Sequence, residues 1–150
     1  MADTLTPEAR SRNMSKIRSK DTKPEEYIRK LLYSEGYRYR KNYRKIEGCP
    51  DIWIPKYNTA VFVHGCYWHR HKGCKYAYEP KSNVQFWMSK FEKNKTRDAQ
   101  VKRLLEEENK RQLIIWECTV KTMMKSAEAK KQFLEQIREF LYSGKNYIEL

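Results

Sequence analysis

The strongest constraint on the fold is a pair of short, continuous apolar runs, Ala60–Val63 and Leu113–Trp116, separated by a long segment of helical period. Runs of this length suit buried strands, and Leu113–Trp116 suits a central strand covered on both faces. Ile52-Trp53-Ile54 and the breaker Pro55-Lys56-Tyr57-Asn58 precede the first run, which is the pattern of a hairpin. Between the two runs, Ser82 and Gln85 match a capping box opening a helix that reaches about Asn109. Its stripe is Val84, Trp87, Met88, Phe91, Asn94, Asp98, Val101 and Leu105, an apolar face interrupted by two polar side chains. Strands followed by a crossover helix and a further strand predict an α/β layered domain, a mixed central sheet flanked by helices.

The flanking segments fit this plan. Thr22-Lys23-Pro24-Glu25 has capping-box spacing, and Ile28, Leu31 and Leu32 then recur on one helical face until Gly36. Residues 37–43, YRYRKNY, alternate so that Tyr37, Tyr39 and Tyr43 share one face of a half-buried strand. A last amphipathic helix buries Phe133, Leu134, Ile137, Phe140 and Leu141 and stops near Gly144. A short helix over 6–17 is expected, with Thr6 as N-cap, Pro7 in its first turn and a basic outer face. No repeat or compositional break divides the chain, so residues 1–150 read as one domain.

Charge narrows the partner. Lys plus Arg number 32 against 19 Asp plus Glu, a formal charge of +13, which favours a polyanion and above all nucleic acid. No apolar run approaches the roughly 20 residues that span a bilayer, and MADTLTPEAR lacks a signal-peptide core. The reading is a cytosolic protein, in which Cys49, Cys66, Cys74 and Cys118 serve as metal ligands or free thiols rather than disulfides.

Residues 63–74, VHGCYWHRHKGC, hold all three histidines and two of the four cysteines. Cys66, His69, His71 and Cys74, with Cys118 beyond the later strand, are candidate thiolate and imidazole ligands for zinc. A three-cysteine site needs one histidine, leaving two over, and a Gly-, Trp- and Tyr-rich loop with little core of its own gains most from such a clip. Asp51 opens one strand and Val63-His64 close its partner, so an acid and the Val63 carbonyl oxygen should meet, a hard-oxygen pair suited to Mg²⁺. By itself the spacing leaves Glu25 a capping residue and Asp51 a residue that starts a strand after a proline turn.

The separated motifs NMSKIRSKDTKPEE, GCPDIWI, VFVHGCYWHRHKGC, QFWMSKFEKNKTRD and LIIWEC cover almost the whole chain and resemble the very-short-patch repair (Vsr) endonucleases of bacteria. That family nicks DNA beside a T:G mismatch, and it is similar in fold to the PD-(D/E)-x-K restriction-endonuclease-like nucleases. Here Phe62-Val63-His64 stands in place of the usual E-x-K.

The resemblance implies that Asp51 and the Val63 backbone carbonyl bind catalytic Mg²⁺. It makes His69 the general acid–base group, His64 its support, and Glu25 a contact of water in the Mg²⁺ shell. Structural Zn²⁺ would sit on Cys66, His71, Cys74 and Cys118. Tyr67, Trp68 and Trp87 would wedge into the base stack, and Asn94 belongs to a polar helix motif with Arg97 and Asp98. Residues 1–20 would form a basic DNA-contacting segment. The family further implies repair of deaminated 5-methylcytosine, cooperation with mismatch-repair proteins, and a monomer in the bacterial cytoplasm, at the nucleoid. Three positions depart from its pattern: Tyr67 replaces a phenylalanine, Cys49 stands where arginine is common, and one extra residue precedes Cys74.

Two other classes compete. A zinc-stabilised binding module without catalysis would stack its aromatics on unpaired bases, but a lone acid such as Asp51 facing phosphate weakens binding unless a cation intervenes. A restriction-type nuclease cutting both strands needs a symmetric dimer, for which no heptad speaks. Docking through the basic surface predicts that DNA affinity falls steeply and log-linearly with added salt in a titration; a flat response would contradict it.

Overall fold

The two apolar runs become adjacent strands at the centre of one mixed sheet. The computed structural model describes residues 21–150, with strands β1 (Arg40–Lys41), β2 (Ile52–Ile54), β3 (Thr59–His64), β4 (Arg111–Trp116) and β5 (Tyr147–Glu149). The helices are α1 (Lys23–Ser34), α2 (Val84–Glu107), α3 (Glu117–Lys125) and α4 (Ala127–Tyr142). Sheet order follows chain order; β1, β2 and β3 pair antiparallel, while β3–β4 and β4–β5 are parallel. The short helix expected over 6–17 and the basic segment 1–20 lie outside the described residues. Among the described residues no helix is long and apolar enough to cross a membrane.

Side-chain alternation along the strands divides the core in two. On one face Ile52, Ile54, Val61, Leu113 and Ile115 pack against Ile28, Leu31 and Leu32 of α1, Val120 and Met123 of α3, and Phe133, Ile137 and Phe140 of α4. On the other, Trp53, Ala60, Phe62, Ile114 and Trp116 pack with Leu105 of α2. Each fully buried aliphatic side chain contributes roughly 1.5–3 kcal/mol, so both layers are strongly specified.

Four local expectations differ from the structure. The 37–43 strand shrinks to Arg40–Lys41 because Asn42 adopts φ 48, and this bend reverses the face on which later residues fall. Tyr37 and Tyr39 therefore pack on the α1 side, while Tyr43 stacks on Trp53 across the sheet at 6.3 Å. The Ser82–Gln85 capping box does not form: Asn83 precedes the first turn in the left-handed region, with no side-chain cap. The stripe of α2 is buried only at Phe91 and Leu105, and Val84 and Met88 are exposed. Helix α3 and strand β5 were not expected; β5 extends the sheet beyond β4, which makes Leu113–Trp116 an internal strand.

Gly48 explains how closely α2 approaches the entry to β2. A Cβ there would lie 2.6 Å from Val101 Cγ1 and 3.1 Å from the Phe62 ring, and its φ of 82 is itself unfavourable for other residues. Gly48→Ala should therefore destabilise the fold by about 2 kcal/mol or more. An unchanged urea midpoint would contradict that packing.

Candidate active site and metal centre

Hairpin register brings the end of β3 beside the residue that precedes β2. The Val63 N–H donates to Asp51 Oδ2 at 2.7 Å, closing the ribbon through a side chain where backbone pairing stops. Asp51 faces a cleft of about 360 Å³ that is also lined by Glu25, Val63, His64, His69, Asn94 and Arg97. Every catalytic position suggested by the resemblance thus lines one cavity. Burial, and then the nearby Glu25 carboxyl, push the Asp51 acid up to about 7, against the pull of the Val63 N–H and of Arg29.

Glu25 sits in the expected capping box and adds a contact to it. Thr22 Oγ1 accepts the Glu25 N–H at 3.4 Å, and the Glu25 carboxylate accepts from the backbone of Thr22 and from the N–H of Asp21, the latter at 2.6 Å. It is nearly inaccessible, and burial raises its pKa. Arg29, one turn later, was overlooked in the sequence. Its guanidinium bonds Asp21 Oδ1 at 2.7 Å, Asn42 Oδ1 at 3.1 Å and the Asp51 carbonyl at 3.1 Å, and lies 3.5 Å from Glu25 Oε2. The i, i+4 spacing from Glu25 is the legible signal: one helical face carries both members of a buried ion pair.

The imidazoles of His64 and His69 stack 3.8 Å apart and 4° from parallel. His69 Nδ1 lies 2.7 Å from Asp98 Oδ2. Burial, and then His69, push His64 down to about 3, so it is a neutral ring. Asn94, one turn before Asp98, donates to the Trp68 carbonyl at 3.0 Å. The two polar interruptions of the α2 stripe are thereby explained, since both side chains reach the loop following β3.

That loop is tied down by the backbone bonds His69 N–H to Gly65 O and His71 N–H to Cys66 O, both 3.0 Å. Cys66, His71, Cys74 and Cys118 present one ligand atom each within 4.8 Å of one another, a group that could hold a metal ion. The S···N separations from His71 Nδ1 are 3.6 Å to Cys66 and 3.5 Å to Cys118. A tetrahedron with metal–sulfur near 2.3 Å and metal–nitrogen near 2.0 Å has such an edge of about 3.5 Å. Gly73, at φ 73, and the Cys74 N–H to His71 O bond turn the chain so that Cys74 joins the group. Burial pushes the Cys66 thiol up to about 12, so a thiolate there requires a cation. Cys49 stands apart and exposed.

Tyr67, Trp68 and Trp87 meet in one aromatic group, with centroids 5.8, 5.5 and 5.1 Å apart. Phe86 and Met88, at 55% and 50% exposure, carry apolar surface from this group to the protein's outside. Arg70, also overlooked, staples the loop: it donates to the carbonyls of Ala77 and Tyr78 at 3.0 and 3.1 Å, and lies 4.2 Å over the Phe91 ring. Arg97 is exposed on the cleft wall.

The raised Asp51 pKa has a sign that can be measured. Its native acid holds a proton that the unfolded chain has released, so stability falls as pH rises from the ordinary carboxylate range towards about 7. With no divalent cation added, Asp51→Asn should stabilise the protein by a few kcal/mol at pH 8, on the order of 1.4 kcal/mol for each tenfold change in proton affinity. The gain should shrink towards pH 4 in paired thermal melts. A variant less stable than the parent at pH 8 would contradict this.

Comparison with known proteins agrees with the geometry. Residues 2–75 match the family model for the DNA mismatch endonuclease Vsr. The chain is 41% identical over 139 residues to a type II nicking enzyme, V.NmeAIP, of Neisseria meningitidis, covering 93% of this chain and 99% of that one. It is 42% identical over 118 residues to the type II nicking enzyme V.XorIIP of Xanthomonas oryzae, covering 79% and 86% respectively. With the DNA mismatch endonuclease Vsr of Escherichia coli K12 the identity is 35% over 137 residues, 91% of this chain and 87% of that one. With relatives this similar along nearly its whole length, the chain belongs to the Vsr family of DNA endonucleases.

Proposed function

We propose that this protein nicks one strand of duplex DNA beside a T:G mismatch by Mg²⁺-dependent phosphodiester hydrolysis, acting in very-short-patch repair of deaminated 5-methylcytosine. The observation that carries the reading is the convergence of Asp51, Glu25, His64 and His69 on one cleft. The names of its relatives, a mismatch endonuclease and nicking enzymes, support the substrate and the single-strand cut. The sheet and its flanking helices belong to one endonuclease domain with a restriction-endonuclease-like core, which works as a monomer in the bacterial cytoplasm at the nucleoid, with mismatch-repair proteins as partners.

Asp51, with the Val63 carbonyl and Glu25 close by, would hold Mg²⁺. Burial raises both carboxyls, and the Glu25 charge raises Asp51 further, so a cation beside them would offset the cost of ionising Asp51 in this space. When bound, the ion supplies positive charge against the developing charge of the phosphodiester and favours ionisation of water. The remaining work falls to the chain. Asp98 is best satisfied by the His69 tautomer with hydrogen on Nδ1, which leaves Nε2 to take and return a proton. His64 fixes the plane of that ring by stacking, and its neutrality avoids repulsion when His69 is protonated. Arg97 on the cleft wall suits a phosphate.

Cys66, His71, Cys74 and Cys118 would hold Zn²⁺, whose preferred tetrahedron of thiolate and imidazole fits the spacing measured above. Its role is to hold the loop. Tyr67, Trp68 and Trp87 would enter the stack next to the mismatch, where unstacking costs least because pairing is already defective.

His69→Ala should slow nicking of a T:G duplex by roughly 10²- to 10⁴-fold while leaving bound zinc and the melting temperature near parental values. Cys74→Ala should lose both zinc and stability. The assay compares T:G duplex, matched duplex and supercoiled plasmid, with and without Mg²⁺. Nicking at the parental rate by the His69 variant, or double-strand breaks in the plasmid, would overturn the reading.

A further inference from the structure

Between the metal ligands and the paired histidines stands one side chain that neither group accounts for. Trp116 ends β4, in register with His64 at the end of β3. Its indole stacks on His71 at 4.1 Å and 5° from parallel, and meets His64 edge-on at 5.3 Å and 75°. His64 in turn stacks on His69. Four rings thus run in contact from His71, the loop histidine beside Cys66 and Cys118, to the one paired with Asp98.

The last strand fixes the indole. Trp116 Nε1–H donates to Glu149 Oε1 at 2.9 Å, and the backbone locks the same pair of strands through Trp116 N–H to Leu150 O at 2.9 Å and Leu150 N–H to Ile114 O at 2.8 Å. Glu149 is itself held: its carboxylate is hydrogen-bonded to the side chain of Tyr147, whose ring lies under Lys102 Nζ at 4.0 Å. An indole has one donor and one long axis, so satisfying Nε1 selects one orientation of its faces.

We infer that Trp116, oriented by Glu149, is a positioning residue that sets the ring planes of His71 on one side and of the His64–His69 pair on the other, so that the C-terminal strand governs the geometry of both sites. This rests on the roles proposed above for His69 and the cysteine–histidine group. A tryptophan that merely filled the core would tolerate loss of its hydrogen bond with no change in chemistry, whereas displacing a positioned ring by about 1 Å can cost on the order of 10²-fold in rate.

The test uses the full chain, as Glu149→Gln, Glu149→Leu and Trp116→Phe. Single-turnover nicking and DNA affinity are measured separately, with bound zinc and the histidine ring-proton NMR shifts as readouts independent of turnover. Glu149→Leu and Trp116→Phe should nick about tenfold or more slowly with affinity changed less than about threefold. Ring-current shifts of the His71 and His64 protons should move in both. Glu149→Gln, which keeps an acceptor for the indole, should restore rate and shifts. A folded Glu149→Leu protein with parental shifts and rate, or a Gln variant as impaired as Leu, would overturn the inference. Should any variant fail to fold, the parental spectrum still decides: a Trp116 indole N–H that exchanges freely contradicts the Glu149 bond. Failure of His69→Ala to slow nicking would instead remove the catalytic reading, and the ring-proton shifts would remain a separate result.

Discussion

The hydrogen bond from the Val63 N–H to the Asp51 carboxylate is the constraint on which the site depends. Backbone pairing of β2 with β3 begins at Ile52 and Val61, so beyond it the ribbon ends are free to splay. A side chain takes over the ladder at that point, which holds an acid within the same cleft as the imidazoles of His64, at the end of β3, and His69, just beyond it. The arrangement has a cost. An acid buried in this setting beside the Glu25 carboxyl is pushed up to about 7, the kind of perturbed carboxyl that gathers at functional sites.

The helix facing this ribbon does a second task. Two side chains of α2 that fail to join the core, Asn94 and Asp98, hold the Trp68 carbonyl and the His69 ring respectively. Trp68 and His69 are therefore both held by one rigid element, from positions one helical turn apart. The cysteine–histidine group ties the far side of the same loop to the start of α3 through Cys118, whose N–H also donates to Cys66 Sγ at 3.4 Å. The imidazole pair and most of the cysteine–histidine and aromatic groups fall within residues 63–74, with Cys118 and Trp87 reaching that loop from α3 and α2.

How much of this was legible in the sequence follows from the range of the interactions. Period and punctuation reveal Ile52–Ile54, Ala60–Val63 and Leu113–Trp116 as strands and Ile28, Leu31 and Leu32 as a buried face, because these are local patterns with a strong apolar signal. The same logic failed at Tyr43, where the left-handed turn at Asn42 flips the face, and at Val84 and Met88, whose apolar side chains lie exposed ahead of the buried Phe91. Strand β5 carries too short a signal to be seen alone. Among site residues, the cysteines and histidines announce themselves by chemistry and crowding. Arg29, Arg70 and Glu149 do not, because their partners lie in other elements, and a charged residue in a chain with so many others carries no mark of burial or pairing.

The central claim is that acid and imidazole act on one scissile phosphate, and a double-variant cycle in single-turnover nicking tests it directly. If Asp51 and His69 serve the same transition state, Asp51→Asn combined with His69→Ala should be about as slow as the slower single variant. Rate losses that multiply in the double variant would mean the two groups act independently, and the shared cleft would have no mechanistic meaning.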